Sequence, residues 1–244
     1  MRARTVVPTV SLLALAVLSG CGGTAGTPSG EHVLNQSEAS AALLSLDDVG
    51  AGFKREKDDG GGSSMGCFTK AQGVTRGKVK PESKVKQVYD ADTEVGLPSL
   101  FTGVASFKST AGARSALAGT LQSLRGCTAV DESDHGFHYQ LKISFDRAKT
   151  GPEADDQVNV SAVGTMTTHG FTVPMAVHFA LVRIGNDVEE SGIATISDDA
   201  RADAAKLSRA ALAKLAAVIA GRTAPKAGLH FEPVNINDFL SSTA

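Results

Sequence analysis

Several places in this 244-residue chain gather side chains that could do chemistry. Gly62-Ser63-Ser64-Met65-Gly66 fits G-x-S-x-G, in which a sharp strand-to-helix elbow presents a serine nucleophile. That elbow needs a strand before it and a helix after it. Here a charged, glycine-rich run precedes Ser64 and Cys67 follows, so a flexible loop is the better reading. The stretch "DESDHGFH" collects Asp131, Glu132, Asp134, His135 and His138, oxygen and imidazole donors dense enough to tempt zinc or calcium. Yet His135 and His138 are three apart in a turn-to-strand segment, unlike a helical zinc pair, and no distant third ligand announces itself. A solvated turn is expected there, and likewise at Asp58-Asp59, so no metal site is assigned.

His178 is a different case. It lies within "FTVPMAVHFALVRI", on the face shared by Ala176, Ala180 and Val182, and the neighbouring strand offers the small residues Ser161, Gly164 and Thr165. A sheet face short of bulk either packs close under a helix or leaves a pocket. In the second case His178 is the pocket's polar handle. No glycine-rich phosphate loop opens a helix, and no carboxylate pair is placed for acid–base work. No catalytic residue, cofactor or enzymatic activity is expected.

The elements that must position these groups follow from periodicity. Asn35-Gln36-Ser37-Glu38 is a capping-box start for a helix with Leu43, Leu44, Leu46 and Val49 on one face, ending near Gly50–Gly52. "KVKQVYDA" and "SLFTGVASF" read as strands. Ser109 then caps a helix in which Ala113, Leu117, Leu121 and Leu124 recur at helical spacing up to Gly126. "GFHYQLKISFD" alternates strictly, with Phe137, Tyr139, Leu141, Ile143 and Phe145 on one side; Val158, Val160 and Ala162 alternate in the next strand. The His178 segment is apolar on both faces, as in a central strand covered twice. Gly185-Asn186-Asp187 marks a hairpin into "VEESGIATI", and a helix over about residues 198–220 turns Leu207, Leu215, Val218 and Ile219 inward. Strands in succession joined by short turns predict an α+β fold, an antiparallel sheet of about five to six strands under roughly three helices.

The N-terminus reads as an export signal. Arg2 and Arg4 precede an apolar run of about nine residues, where a membrane-spanning helix needs roughly 20. Leu18-Ser19-Gly20-Cys21 resembles the bacterial lipobox. That resemblance implies a diacylglyceryl thioether on Cys21, cleavage before it, and a palmitate-bearing chain on the outer face of the cell membrane. Two or more acyl chains, at about 0.8 kcal/mol per buried methylene, anchor stably. The expected organisation is a signal peptide over 1–20, a flexible tether over 21–36, one domain over 37–222 and a C-terminal tail over 223–244. Without the leader's two arginines the formal net charge moves from −2 to −4. No basic stripe is present, so nucleic acid is not an expected partner. Tryptophan is absent, which removes indole platforms for sugars or bases.

Cys67 and Cys127 remain after lipidation. Export through an oxidising space makes a disulfide the default reading; a metal site would want closer Cys or His spacing, and a catalytic thiol a His/Asn context that is not visible. Closing a loop of about 60 residues should stabilise by roughly 4 kcal/mol.

Taken together, the lipobox, "ALLSLDDVGAGF", a cysteine, "VASFKSTAGARSALAGTLQSLRGC", the late hairpin and an alanine-rich last helix ending in arginine resemble one family. It is the PknH-like extracellular sensor domain of actinobacterial receptor kinases and lipoproteins, and the similarity covers roughly residues 37–222. It implies an antiparallel sheet with helices around a cleft, ligand sensing outside the cell, and the family's cysteine pair at Cys67 and Cys127. Leu124 stands where an aromatic is common, and the family's second disulfide is missing near "VRIGNDVEESGIAT". The expectation is a membrane-anchored, non-enzymatic binding or sensor module for a small or lipidic ligand. Its rivals are a lipid carrier with an apolar cavity, a hydrolase built on Ser64 and the histidines, and a surface adaptor anchored by Phe231 and Phe239.

Overall fold

Alternating residues in the middle of the chain build a meander, and the flanking segments extend it at both edges. The computed structural model describes residues 32–56, 67, 79–93, 95–134, 136–168 and 170–234. Cys21 and the leader, most of the tether, Asp58-Asp59, the Ser64 motif, His135 and Phe239 lie outside the described residues.

The strands are β1 (Phe53–Arg55), β2 (Ser83–Ala91), β3 (Ser99–Ser106), β4 (Ala129–Asp134), β5 (Phe137–Asp146), β6 (Asp156–Thr168), β7 (Phe171–Ile184) and β8 (Asp187–Thr195). They form a single antiparallel sheet in the order β1-β2-β3-β8-β7-β6-β5-β4. The expected α+β class holds, but eight strands replace the expected five or six. The two additions are both edge strands. β1 is only three residues long, too short to show alternation, and β4 is the acidic "AVDESD" that reads as a turn.

The helices are α1 (Gln36–Ala41), α2 (Leu46–Val49), α3 (Thr110–Arg125) and α4 (Arg201–Ile219). The single helix expected near residues 36–50 is two. Asn35 and Glu38 form a capping box for α1, and Ser45 with Asp48 forms a second box that starts α2 afresh. α3 crosses between β3 and β4, on opposite sides of the sheet, and packs Ala113, Ala116, Leu117 and Leu124 onto Val158, Val160, Phe179 and Leu181 of one face. α4 covers the other face with Leu207, Ala211, Leu212 and Leu215, against Ala176, Ala180, Val182 and Ile193. Each such leucine contributes about 1.5–3 kcal/mol by burial. Val218 and Ile219, expected inward, are only partly buried.

β7 and β8 lie at the centre, and β7 is buried without a break from Met175 to Ile184. Cys67 and Cys127 are joined by a disulfide with a Cα–Cα separation of 5.6 Å, which ties residue 67 to the end of α3.

The packed body overruns both expected boundaries. Leu34 is 1% exposed; its N–H donates to Ser106 Oγ and its carbonyl accepts from Ser83 Oγ. At the other end Leu229 and Phe231 are buried, and Phe231 sits under the Lys206 ammonium, 5.5 Å from its ring centre. Phe231 is therefore a core residue and not a free surface anchor. These are single apolar contacts in aperiodic segments, which is why no period marks them.

Candidate functional site

β6 and β7 pair so that Ser161 lies opposite His178 and Asn159 opposite Ala180. A strand alternates its side chains, so Gln157, Asn159 and Ser161 share the face of His178, beneath α4. The first half of α4 brings Ala204 and Ala205 over this face, and those small side chains leave a gap. The result is a cleft of about 310 Å³, closed on its third side by Ala148, Lys149 and Thr150. Close packing and a pocket, the two alternatives for this small-residue face, are both present. Ala211 packs tightly further along α4, and the cleft opens at the His178 end. Gly164 takes no part. It sits one residue out of phase with Ser161, and a Cβ there would collide with the Gln140 carbonyl of β5.

The third wall is held by hydrogen bonds. Gln157 Nε2 donates to Asn159 Oδ1 at 2.6 Å, and Gln157 Oε1 accepts from Thr150 N at 2.8 Å. Asn159 Nδ2 in turn donates to Asp146 Oδ1 and to the Ala148 carbonyl. Two amides on β6 thus fix the 146–150 segment, so the cleft is built in advance of any ligand.

His178 is 2% exposed. Its Nδ1 shares a 2.8 Å hydrogen bond with Ser161 Oγ. Its Nε2 is buried with no hydrogen-bond partner among the described residues, and the nearest of their carboxylate oxygens, Asp199 Oδ1, is 3.7 Å away. Burial lowers the imidazole pKa, the Asp199 charge raises it and Arg201 lowers it; the net shift is downward, so the ring is neutral at pH 7. An acceptor-only carboxylate near Nε2 favours the tautomer protonated there, with Ser161 donating to Nδ1. Asp199 is held below its ordinary range first by the Arg201 N–H and then by the Arg201 side chain, Nε to Oδ1 at 3.0 Å.

Charge around the cleft is unequal. Lys149, Arg201 and Arg209 line it against the single carboxylate of Asp146. Lys149 Nζ donates to the Ala154 carbonyl, while Arg209 is exposed with no ion-pair partner among the described residues.

Ser161, His178 and Asp199 together have the composition of a catalytic relay but not its geometry. The imidazole meets serine through Nδ1, and the carboxylate stands beyond hydrogen-bond reach of Nε2. Ser161 lies mid-strand, its backbone paired on both sides and not raised on the strained turn that presents a nucleophile.

The other sequence candidates are not drawn to this cleft. His138 lies on the β4–β5 hairpin, its Nδ1 bonded to Ser133 Oγ and its Nε2 3.3 Å from Asp131. Among the described residues, no group of three or more His, Cys, Asp or Glu side chains is placed to hold a metal ion. Sequence reading missed Lys149, Arg201 and Arg209. Their only signal was position, since Arg201 follows the acidic helix start and Arg209 falls two turns later on the same side. It also missed three buried acids on β8, Asp187, Glu189 and Glu190. Burial pushes Asp187 up to about 6, and pushes Glu189 well above the usual carboxylate range.

No family model matches the chain, and no curated protein is similar to it in sequence. Among solved structures, the extracellular domain of PknH from Mycobacterium tuberculosis is similar, with a TM-score of 0.49 and 13% identity over 79% of this chain and 97% of that one. This is a distant resemblance and does not amount to membership of a family.

Proposed function

We propose that this chain is an extracytoplasmic binding module, held to the cell membrane through lipid on Cys21, that takes a small or lipidic ligand into the cleft beside His178 and senses it without transforming it. One observation supports the reading most: a preformed cleft is lined by a buried imidazole whose Nε2 has no hydrogen-bond partner among the described residues. Leaving a buried polar atom unpaired costs about 1–3 kcal/mol, a cost that a ligand group can remove. The cleft's volume also falls at the lower end of small-molecule sites, which run from about 300 to 1,000 Å³.

Placement outside the cell rests on the lipobox-like Leu18-Ser19-Gly20-Cys21 and on a disulfide that suits an oxidising compartment. Among the described residues no helix is long and apolar enough to cross a membrane. The carrier reading is less well supported, since packed side chains from α3 and α4 fill the two sheet faces that would have to curve around acyl chains.

The test is native mass spectrometry of protein purified from its host without denaturant. Wild type should carry a small molecule that is absent from Ala205→Phe, which fills the cleft. An unliganded wild type that also binds nothing from a host metabolite extract would refute the reading. For the anchor, labelled palmitate should appear on the wild-type chain and be lost in Cys21→Ala.

A further inference from the structure

The cleft is not chemically even, and its asymmetry identifies a ligand class. Ala148, Ala180, Ala204 and Ala205 make one part of the lining apolar. Arg201 and Arg209 stand on α4 beside them, with Lys149 across the opening. The one carboxylate in the lining, Asp146, already accepts from Asn159 Nδ2 and from the Ala148 N–H. It is held in the wall, and with Asp199 paired to Arg201 the two carboxylates still leave the three cations in excess by one charge. Beneath the cations lies the Nε2 of His178, without a hydrogen-bond partner among the described residues, near the start of a 19-residue helix whose N-cap, Ala200, offers no side-chain acceptor. The exposed first turn of such a helix favours negative charge.

Asp199 shows what this corner attracts. Its carboxylate lies 3.7 Å from His178 Nε2 and is held by both the backbone and the side chain of Arg201. The Asp199 side chain is half exposed, so it can swing away from the imidazole.

We propose that the ligand is an anionic amphiphile: its carboxylate or phosphate oxygens displace Asp199 from the Arg201–His178 corner within reach of Arg209, and its apolar body lies on the alanine side. This rests on the reading that the cleft binds a ligand. It adds the headgroup charge, the orientation and a built-in competitor. Arg209 has no hydrogen bond or ion pair to lose among the described residues, so its contribution is read in binding alone. Asp199 competes with the ligand, so removing its charge strengthens binding.

The test is calorimetric titration of the full chain at low salt with four probes: octanoate, octyl phosphate, 1-octanol and inorganic phosphate. Both octyl anions should bind, with 1-octanol weaker by about tenfold because charge-assisted hydrogen bonds are lost. Arg209→Gln should weaken both anions by about three- to fivefold, leave 1-octanol unchanged, and lose its effect in high salt. Arg209→Lys should keep most of the affinity, and Asp199→Asn should tighten octanoate. Equal binding of octanol and octanoate would overturn the anionic headgroup while leaving the cleft a binding site. Inorganic phosphate binding as well as octyl phosphate would overturn the apolar half. Weaker octanoate binding by Asp199→Asn would overturn the placement of the headgroup. Silence from all four probes would overturn this proposal, whereas the cleft reading beneath it stands or falls with the host-extract test.

Discussion

The two halves of α4 rest on the same sheet face and end in opposite kinds of polar chemistry. In the later half Lys214 Nζ lies 2.7 Å from Asp48 Oδ2, and both side chains are buried. Asp48 also accepts from Ser45 N, Ser45 Oγ and Ala227 N, while Lys214 reaches the Pro225 carbonyl. Every charge there is answered, and three segments distant in sequence are fastened at one point. In the earlier half His178 has one hydrogen bond and an empty Nε2 beside a cleft. A saturated buried network fixes the fold, whereas an unsaturated one beside open space leaves a bond for something else to make.

Breaking the saturated end should have the largest effect. Lys214→Met leaves the Asp48 carboxylate buried without its cation and should destabilise by about 3–5 kcal/mol, measured by urea unfolding. A loss under about 1 kcal/mol would show that the pair is not a fastening. The same site sets acid sensitivity. Burial pushes the Asp48 carboxyl up, but hydrogen bonds from the Ala227 N–H, Lys214 and Ser45 outweigh it and hold its pKa down to about 2, below the ordinary 3.8. A depressed carboxyl contributes stability that is complete above its unfolded value and is lost as pH falls through the folded one. The Asp48 contribution in wild type should therefore be complete down to about pH 4 and be lost towards pH 2, while in Lys214→Met, whose Asp48 carboxyl is less depressed, that acid-dependent loss should be smaller.

Removing the disulfide ranks close behind. With Cys67 and Cys127 separated by 60 positions, Cys67→Ser/Cys127→Ser should lose roughly 4 kcal/mol, seen as a lowered thermal midpoint that reductant no longer changes. Glu189→Gln should act with the opposite sign. A buried carboxyl whose pKa is raised costs stability as pH climbs above its ordinary 4.5. The variant should thus gain on wild type between pH 5 and pH 8 and show no advantage at pH 4; a constant difference across that range would contradict burial of the acid.

At the open end Arg209→Gln should change stability by no more than about 0.5 kcal/mol. That contrast with Lys214→Met, two cations on one helix, is the sharpest form of the comparison. Equal losses at both positions would erase it.

Periodicity made β7 readable, because residues 175–184 are apolar on both faces and are buried on both. It hid β4, whose "AVDESD" has one buried side chain, Val130, and is otherwise polar like a turn. His178 was legible as a polar residue in an apolar strand, and Ser161 as a small neighbour on the adjoining strand. The cations were not. Lys149 comes from a loop shaped by Gln157 and Asn159 hydrogen bonds, and no sequence period reports that. The Asp48–Lys214 pair spans 166 positions, and only the folded chain shows that the two charges meet.

The imidazole resonances of His178, followed by nitrogen-15 NMR as octanoate is added to the full chain, test the open end most directly. Unligated His178 should show a neutral ring protonated on Nε2 at pH 7, and saturating octanoate should move the Nε2 signal while His138 stays in place. A ring already charged at pH 7, or an Nε2 signal indifferent to octanoate in wild type and in Asp199→Asn alike, would mean that this corner of the sheet is closed core and not a binding site.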